Sequence, residues 1–174
     1  MRGFDASKQV WVEEALQRYE RPLVRYAAHL LGDTDLARDI VQDTFLRLWS
    51  ADRAEVDGRL AAWLYTVCRN RALDVMRKER RMVPLESVRT DVRPSDSPTP
   101  GTVLDTAERR ESIQGILTTL PQNQREVIRL KFQDGLSYKN ISEITGLSVS
   151  NVGYLIHIGI RTIRRRLAAH GGVA

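Results

Sequence analysis

The 174-residue sequence lacks most of what marks a secreted or membrane-spanning chain. It has one cysteine, so a disulfide framework is excluded. No apolar run approaches the roughly eighteen residues that a membrane span needs. The three histidines, His29, His157 and His170, stand far apart with no metal-ligand spacing. There is no CxxC pair, no phosphate-binding glycine loop and no nucleophile elbow. These absences argue against an enzyme: no catalytic residue, metal or cofactor is expected. Residues Met1 to Lys8 carry charges where a signal peptide needs its apolar stretch, so a cytoplasmic location is expected.

Proline is missing from Leu23 to Val83, and between Asp33 and Val83 the only glycine is Gly58. Strands and hairpins need those punctuation marks, so the stretch reads as helices. Leu16, Tyr19, Leu23, Tyr26 and Leu30 repeat at helical spacing, and Gly32 ends the run. Asp33 and Asp35 place negative charge at the start of a second helix, where the backbone dipole favours it. Its apolar stripe is Val41, Phe45, Leu48 and Trp49. A third helix is predicted after Gly58, with Leu64, Cys68, Ala72 and Val75 or Met76 inward; Cys68 reads as a small buried hydrophobe.

Four of the six prolines (Pro84, Pro94, Pro98, Pro100) then fall between Val83 and Thr106, among Ser95, Ser97, Thr99 and Gly101. Such a composition buries too little apolar area to offset the entropy of ordering, which predicts a flexible linker. Helical spacing resumes at Ile113, Ile116, Leu117 and Leu120. Pro121 suits the first turn of another helix, whose core continues through Val127, Ile128 and Phe132. The expected architecture is all-α. Two small helical domains, 1–82 and 107–174, flank a linker over 83–106.

Charge is distributed unevenly along this frame. Residues 1–81 hold 15 basic and 13 acidic groups, 82–112 hold 4 and 6, and 113–174 hold 8 and 3. Two positive patches suggest a polyanion touched at two places. From Arg69 to Arg81 there are six cations. Within that run Asn70, Asp74, Lys78 and Arg81 share a helix face, flanked by Arg69 and Arg77, with Trp63 and Tyr65 at the helix start. Rings that stack on bases beside cations that track a backbone suit single-stranded nucleic acid.

The second patch follows a helix-turn-helix pattern. Ser137 caps a short helix holding Ile141 and Ile144, Gly146 supplies the turn, and Ser148 caps a helix bearing Val152 and Leu155. Ser142, four residues before Gly146, suits a close crossing of the two helices. In such a motif the second helix enters the major groove. Ser148, Ser150, Asn151, Tyr154 and His157 would then face bases or phosphates, with Arg161, Arg164, Arg165 and Arg166 beside phosphates. A third surface, Asp39, Gln42, Asp43, Leu46 and Arg47, lies opposite the apolar stripe of the second helix and leaves room for docking.

These segments together resemble the extracytoplasmic-function (ECF) bacterial sigma factors, dissociable subunits that give RNA polymerase its promoter specificity. The resemblance covers about residues 18–81 and 113–168. Asp39-Ile40-Val41-Gln42-Asp43-Thr44-Phe45-Leu46-Arg47-Leu48-Trp49 is similar to the family's polymerase-binding helix. Trp63 to Asp74 resembles its promoter-melting and minus-ten-reading helix, and Leu120-Pro121-Gln122-Asn123-Gln124-Arg125-Glu126-Val127 with Gly135-Leu136-Ser137-Tyr138 resembles the entry to its minus-thirty-five-reading domain. The two domains would then be sigma region 2-like and region 4-like.

The resemblance implies that Asp39, Gln42 and Asp43 dock on the polymerase, that Asn70 reads a flipped-out base, and that Trp63 and Tyr65 surround strand opening. It also implies core polymerase, promoter DNA and an anti-sigma factor as partners. One departure stands out. After Val152 the family commonly carries basic residues and a serine, whereas Gly153 to Ile160 is nearly uncharged here. The run could pack against a regulator or the first domain. Two other readings stay open: a helix-turn-helix repressor or activator that binds duplex operator alone, and a protein-only interaction module with no salt-dependent affinity for nucleic acid.

Overall fold

The computed structural model describes residues 6–82 and 113–170, all regular elements of which are helices. The expected linker lies outside the described residues. Contacts divide the chain into two compact units, Met1–Ser95 and Asp96–Ala174.

In the first unit α1 (Ala6–Leu31), α2 (Thr34–Ser50), the short α3 (Arg53–Val56) and α4 (Leu60–Met82) follow one another, with α1, α2 and α4 in mutual contact. Gly32, at φ 77°, closes α1 by donating its N–H to the Ala28 carbonyl. The Asp33 carboxylate then accepts from the amides of Asp35 and Leu36 at 2.9 and 3.0 Å, capping α2. Ala37, Ile40, Val41, Thr44, Phe45 and Leu48 form its inner face. The buried face of α1 is Trp11, Ala15, Leu23, Tyr26 and Ala27. Leu16 shares the azimuth of Leu23 and Ala27 but is 38% exposed, so no neighbouring helix covers it at that level of α1. Trp49, by contrast, is rotated about 100° beyond Leu48 and so turns out of the α2 stripe.

On α4 the expected Leu64, Cys68 and Ala72 are fully buried, while Val75 and Met76 are half-buried. Burial pushes the Cys68 thiol up from 9.0 to about 12, against a smaller downward pull from its hydrogen bond with Thr44. It is therefore a protonated core group at neutral pH, not a thiolate nucleophile.

In the second unit helical residues 113–118 (α5) lead to α6 (Gln122–Phe132), α7 (Tyr138–Thr145) and α8 (Val149–His170). Pro121 is the N-cap of α6, one residue earlier than predicted. Ile116, Leu117, Leu120, Val127, Ile128 and Leu130 are buried. Phe132, expected to extend that core, is 63% exposed at the end of α6. Ile113 is likewise at the surface.

Gly159 is where α8 closes on α6. A methyl group there would overlap the δ-methyl of Ile128 and meet its Cγ1 at 3.4 Å. The overlapping atom is the free end of the Ile128 side chain, which a χ2 rotation can turn aside, so the strain largely offsets the roughly 1 kcal/mol that alanine gains over glycine in a helix. Gly159→Ala is therefore expected to change stability by under about 1 kcal/mol in thermal unfolding; a loss of about 3 kcal/mol or more would mean that Ile128 cannot yield.

Candidate nucleic-acid interface

Three exposed faces bring together most of the residues singled out above. On α2, Asp39, Gln42, Leu46 and Arg47 point outward, with Leu46 62% exposed. A shallow hollow beside them is lined by Asp43, Leu46, Arg47, Ser50 and Ala51. Trp49, 43% exposed, adds apolar surface at the same end of the helix, which its place in the apolar stripe concealed. Lys8 of α1 donates to the Ala51 carbonyl at 2.9 Å, satisfying a carbonyl at the α2 C-terminus.

Asp43 differs from its neighbours. Half-buried, it pairs with Arg71 of α4, whose Nη2 lies 3.3 Å and Nε 3.4 Å from its Oδ2. The two are 28 positions apart, so no local pattern announces the pair. Arg71 thereby joins the outward face of α2 to the basic helix α4. Both side chains remain substantially solvated, so the pair orients them more than it stabilises the fold.

On α4, Asn70, Asp74, Arg77, Lys78 and Arg81 are all exposed, while Trp63 and Arg69 are half-buried. Asp74 forms an ion pair with Arg77 at 2.9 Å, one turn apart. Tyr65 departs from expectation. It is 2% exposed, with its ring 5.2 Å from that of Tyr26. A ring used as packing between α1 and α4 is not presented to a base, so Tyr65 leaves the candidate set and Trp63 remains.

The helix-turn-helix of the second unit is built by local chemistry. The Ser137 hydroxyl accepts from the Asn140 amide at 3.1 Å, and Ser148 from Asn151 at 3.2 Å. Gly146 adopts φ 74° at the end of α7, a left-handed conformation that costs glycine little. Ser142 donates to the Leu147 carbonyl at 2.6 Å, tying α7 to the turn. Ser148, just before α8, and Ser150, Asn151, Tyr154, His157, Arg161, Arg164 and Arg165 on α8 are exposed. Arg166 is half-buried and hydrogen-bonds Thr119.

The nearly uncharged run Gly153 to Ile160 has its explanation here. Val152, Leu155, Ile156 and Gly159 face inward, with Gly159 against Ile128 of α6. A Cβ at Gly153 would meet Cε2 and Cδ2 of the Tyr138 ring at 3.5 and 3.9 Å, and the Lys131 Nζ lies 5.3 Å from the centre of that ring. Three of the run's eight residues, Leu155, Ile156 and Gly159, are thus the unit's own core.

Among the described residues no three His, Cys, Asp or Glu side chains gather as a metal site, and no helix is long and apolar enough to cross a membrane. The cytoplasmic location read from the sequence is corrected to that narrower statement, since the helices speak only to membrane spans.

The Sigma-70 region 2 family matches residues 15–82, the unit holding α2 and α4, and Sigma-70 region 4 matches residues 110–167, the unit holding the helix-turn-helix. ECF RNA polymerase sigma factor SigL of Mycobacterium tuberculosis is 32% identical over 173 residues, covering 97% of this chain and 96% of SigL. SigE of Mycolicibacterium smegmatis is 29% identical over 97% of this chain, which spans 65% of the length of SigE. Among solved structures, the sigma factor RpoE in complex with the anti-sigma factor NepR from Bartonella quintana superposes with a TM-score of 0.65 at 25% identity, over 90% of this chain and 96% of RpoE. CnrH in complex with the cytosolic domain of CnrY shares the fold, with a TM-score of 0.62 at 22% identity over 92% of this chain and 90% of that one. With both regions matched in order and a relative aligned almost end to end, the chain belongs to the ECF RNA polymerase sigma factor family.

Proposed function

We propose that this chain docks on core RNA polymerase through Asp39, Gln42, Asp43, Leu46 and Arg47, and captures the opened minus-ten element on α4. Asn70 takes a flipped-out base there, Trp63 stacks near the strand opening, and Arg69, Arg77, Lys78 and Arg81 track the backbone, with Asp74 orienting Arg77. The helix-turn-helix reads the minus-thirty-five element as duplex. The observation that carries the reading is Asn70 exposed on a basic helix of the unit whose α2 offers a separate docking face. Unstacking a base costs a few kcal/mol, and a stacking ring beside a hydrogen-bonding amide is the means of recovering it. The division into 1–82, 83–106 and 107–174 belongs to the same proposal.

An anti-sigma factor is the expected regulator, because RpoE, similar to this chain over nearly its whole length, is held in such a complex. A protein covering α2 would compete directly with the polymerase.

Transcription from a genomic promoter library with purified core enzyme tests the reading. Specific starts should depend on this chain. A protein that represses or activates without replacing the enzyme's own initiation subunit would instead be a helix-turn-helix regulator. On promoters so found, Arg165→Ala should weaken holoenzyme binding almost uniformly across sequences and lower the salt slope by about one. A loss confined to one base position would contradict a phosphate contact.

A further inference from the structure

The outward side of α8 changes character along its length. Ser150, Tyr154, His157, Arg161 and Arg164 recur at four and three residues and form one exposed stripe, opposite the inward Val152, Ile156 and Gly159. Its C-terminal half is cationic, while its N-terminal half holds no formal charge. In the middle of that neutral half stands Tyr154, 61% exposed, among the largest apolar surfaces the second unit offers solvent. Its neighbours hold that helix rigidly, because Ser148 caps the first turn and Tyr138 packs over Gly153.

We infer that Tyr154 is a specificity-determining residue that reads thymine, its ring lying against the C5-methyl group of a thymine in the major groove of the upstream promoter element. The inference rests on the proposed function and adds to it the chemistry of the base that α8 selects. In the major groove each base pair has a distinct edge, and the thymine methyl is the feature read by apolar contact instead of hydrogen bonding. A stripe with an aromatic ring where the helix enters and arginines further along separates the two tasks. The ring discriminates while the cations bind, so discrimination should be insensitive to salt and affinity should not. Asn151, exposed one turn earlier, offers an amide to an adjacent adenine, the other base of an A·T pair.

The test uses holoenzyme assembled from core polymerase and the full chain, on a promoter that it transcribes. Each thymine of the upstream element is replaced singly by deoxyuridine, which pairs identically but lacks the methyl group. Wild type is expected to lose about fourfold in binding at one or two positions, the worth of one buried methyl group. Tyr154→Phe should keep that loss, because the ring suffices. Tyr154→Ala should bind thymine and uracil templates equally, and, since the side chain is largely exposed, should melt as wild type does. Binding unchanged by uracil at every position overturns the inference, as does a Tyr154→Ala holoenzyme with undiminished uracil sensitivity. Sensitivity lost in Tyr154→Phe also overturns it, assigning the contact to the phenol hydroxyl. Those results leave the proposed function standing, whereas a holoenzyme with no promoter preference sinks both.

Discussion

Reversing two charges on α2, Asp39→Arg with Asp43→Arg, should reduce affinity for core RNA polymerase at least about a hundredfold, equivalent to about 2.7 kcal/mol. Removing one partner of a close interfacial charge pair commonly costs about 2–5 kcal/mol, and reversal adds repulsion to that loss. Asp39 is fully outward, so its replacement touches nothing inside the unit. Asp43→Arg also confronts Arg71 with a second guanidinium. Those side chains are 38% and 48% exposed in the native pair, so water screens the repulsion and the fold should lose under about 1 kcal/mol. Pull-down with core enzyme, read beside thermal unfolding, separates the two effects. A double variant that melts normally yet still assembles holoenzyme would remove α2 from the interface.

Asn70→Ala should lower open-complex formation about tenfold or more on promoters carrying the preferred base at one minus-ten position, and much less on others. The size follows from the roughly 1–3 kcal/mol that a buried polar group loses when its hydrogen-bonding partner is removed. Base dependence is the decisive part, because a structural role would lower activity equally on every template. Asn70 is exposed and helical, so alanine costs the fold nothing and improves local propensity. Potassium permanganate footprinting on four templates that differ at each minus-ten position reads the effect. Unchanged promoter preference would refute the base-reading role.

What can be read in the sequence is what is decided within a turn or two of chain. The Asp33, Ser137 and Ser148 caps and the Gly32 and Gly146 stops involve partners no more than four residues away, and all form as their residue types require. The three buried stripes of the first unit are legible in their centres, Leu23 and Tyr26, Val41 to Leu48, Leu64 to Ala72. Their edges are not. Trp49 and Phe132 fall outside the inward arc, and Leu16 lies within it at a level no neighbour covers, so periodicity gives neither the width nor the length of the buried stripe until the neighbouring helices are placed. Tyr65 fails in the opposite sense, drawn inward by Tyr26 from another helix.

The candidate site follows the same division. Asn70, Lys78 and Arg81 share a face because helical spacing alone puts them there. Arg71, by contrast, gains its importance from Asp43, on a helix separated from it by a turn and the short α3. The uncharged run after Val152 looks anomalous for a groove-facing helix until Ile128 is found against Gly159. Leu155, Ile156 and Gly159 of that run are core, and packing accounts for their lack of charge.

The central claim is that strand capture belongs to the complex with polymerase and not to the free chain. Fluorescence anisotropy of a labelled non-template minus-ten strand, and of the matching duplex promoter, should be measured with this chain alone and with added core enzyme. Tight, sequence-selective binding of the single strand should appear only with the core present, and the chain alone should hold the duplex weakly. Tight saturation of duplex DNA by the isolated chain, unaltered by core enzyme, would contradict the account.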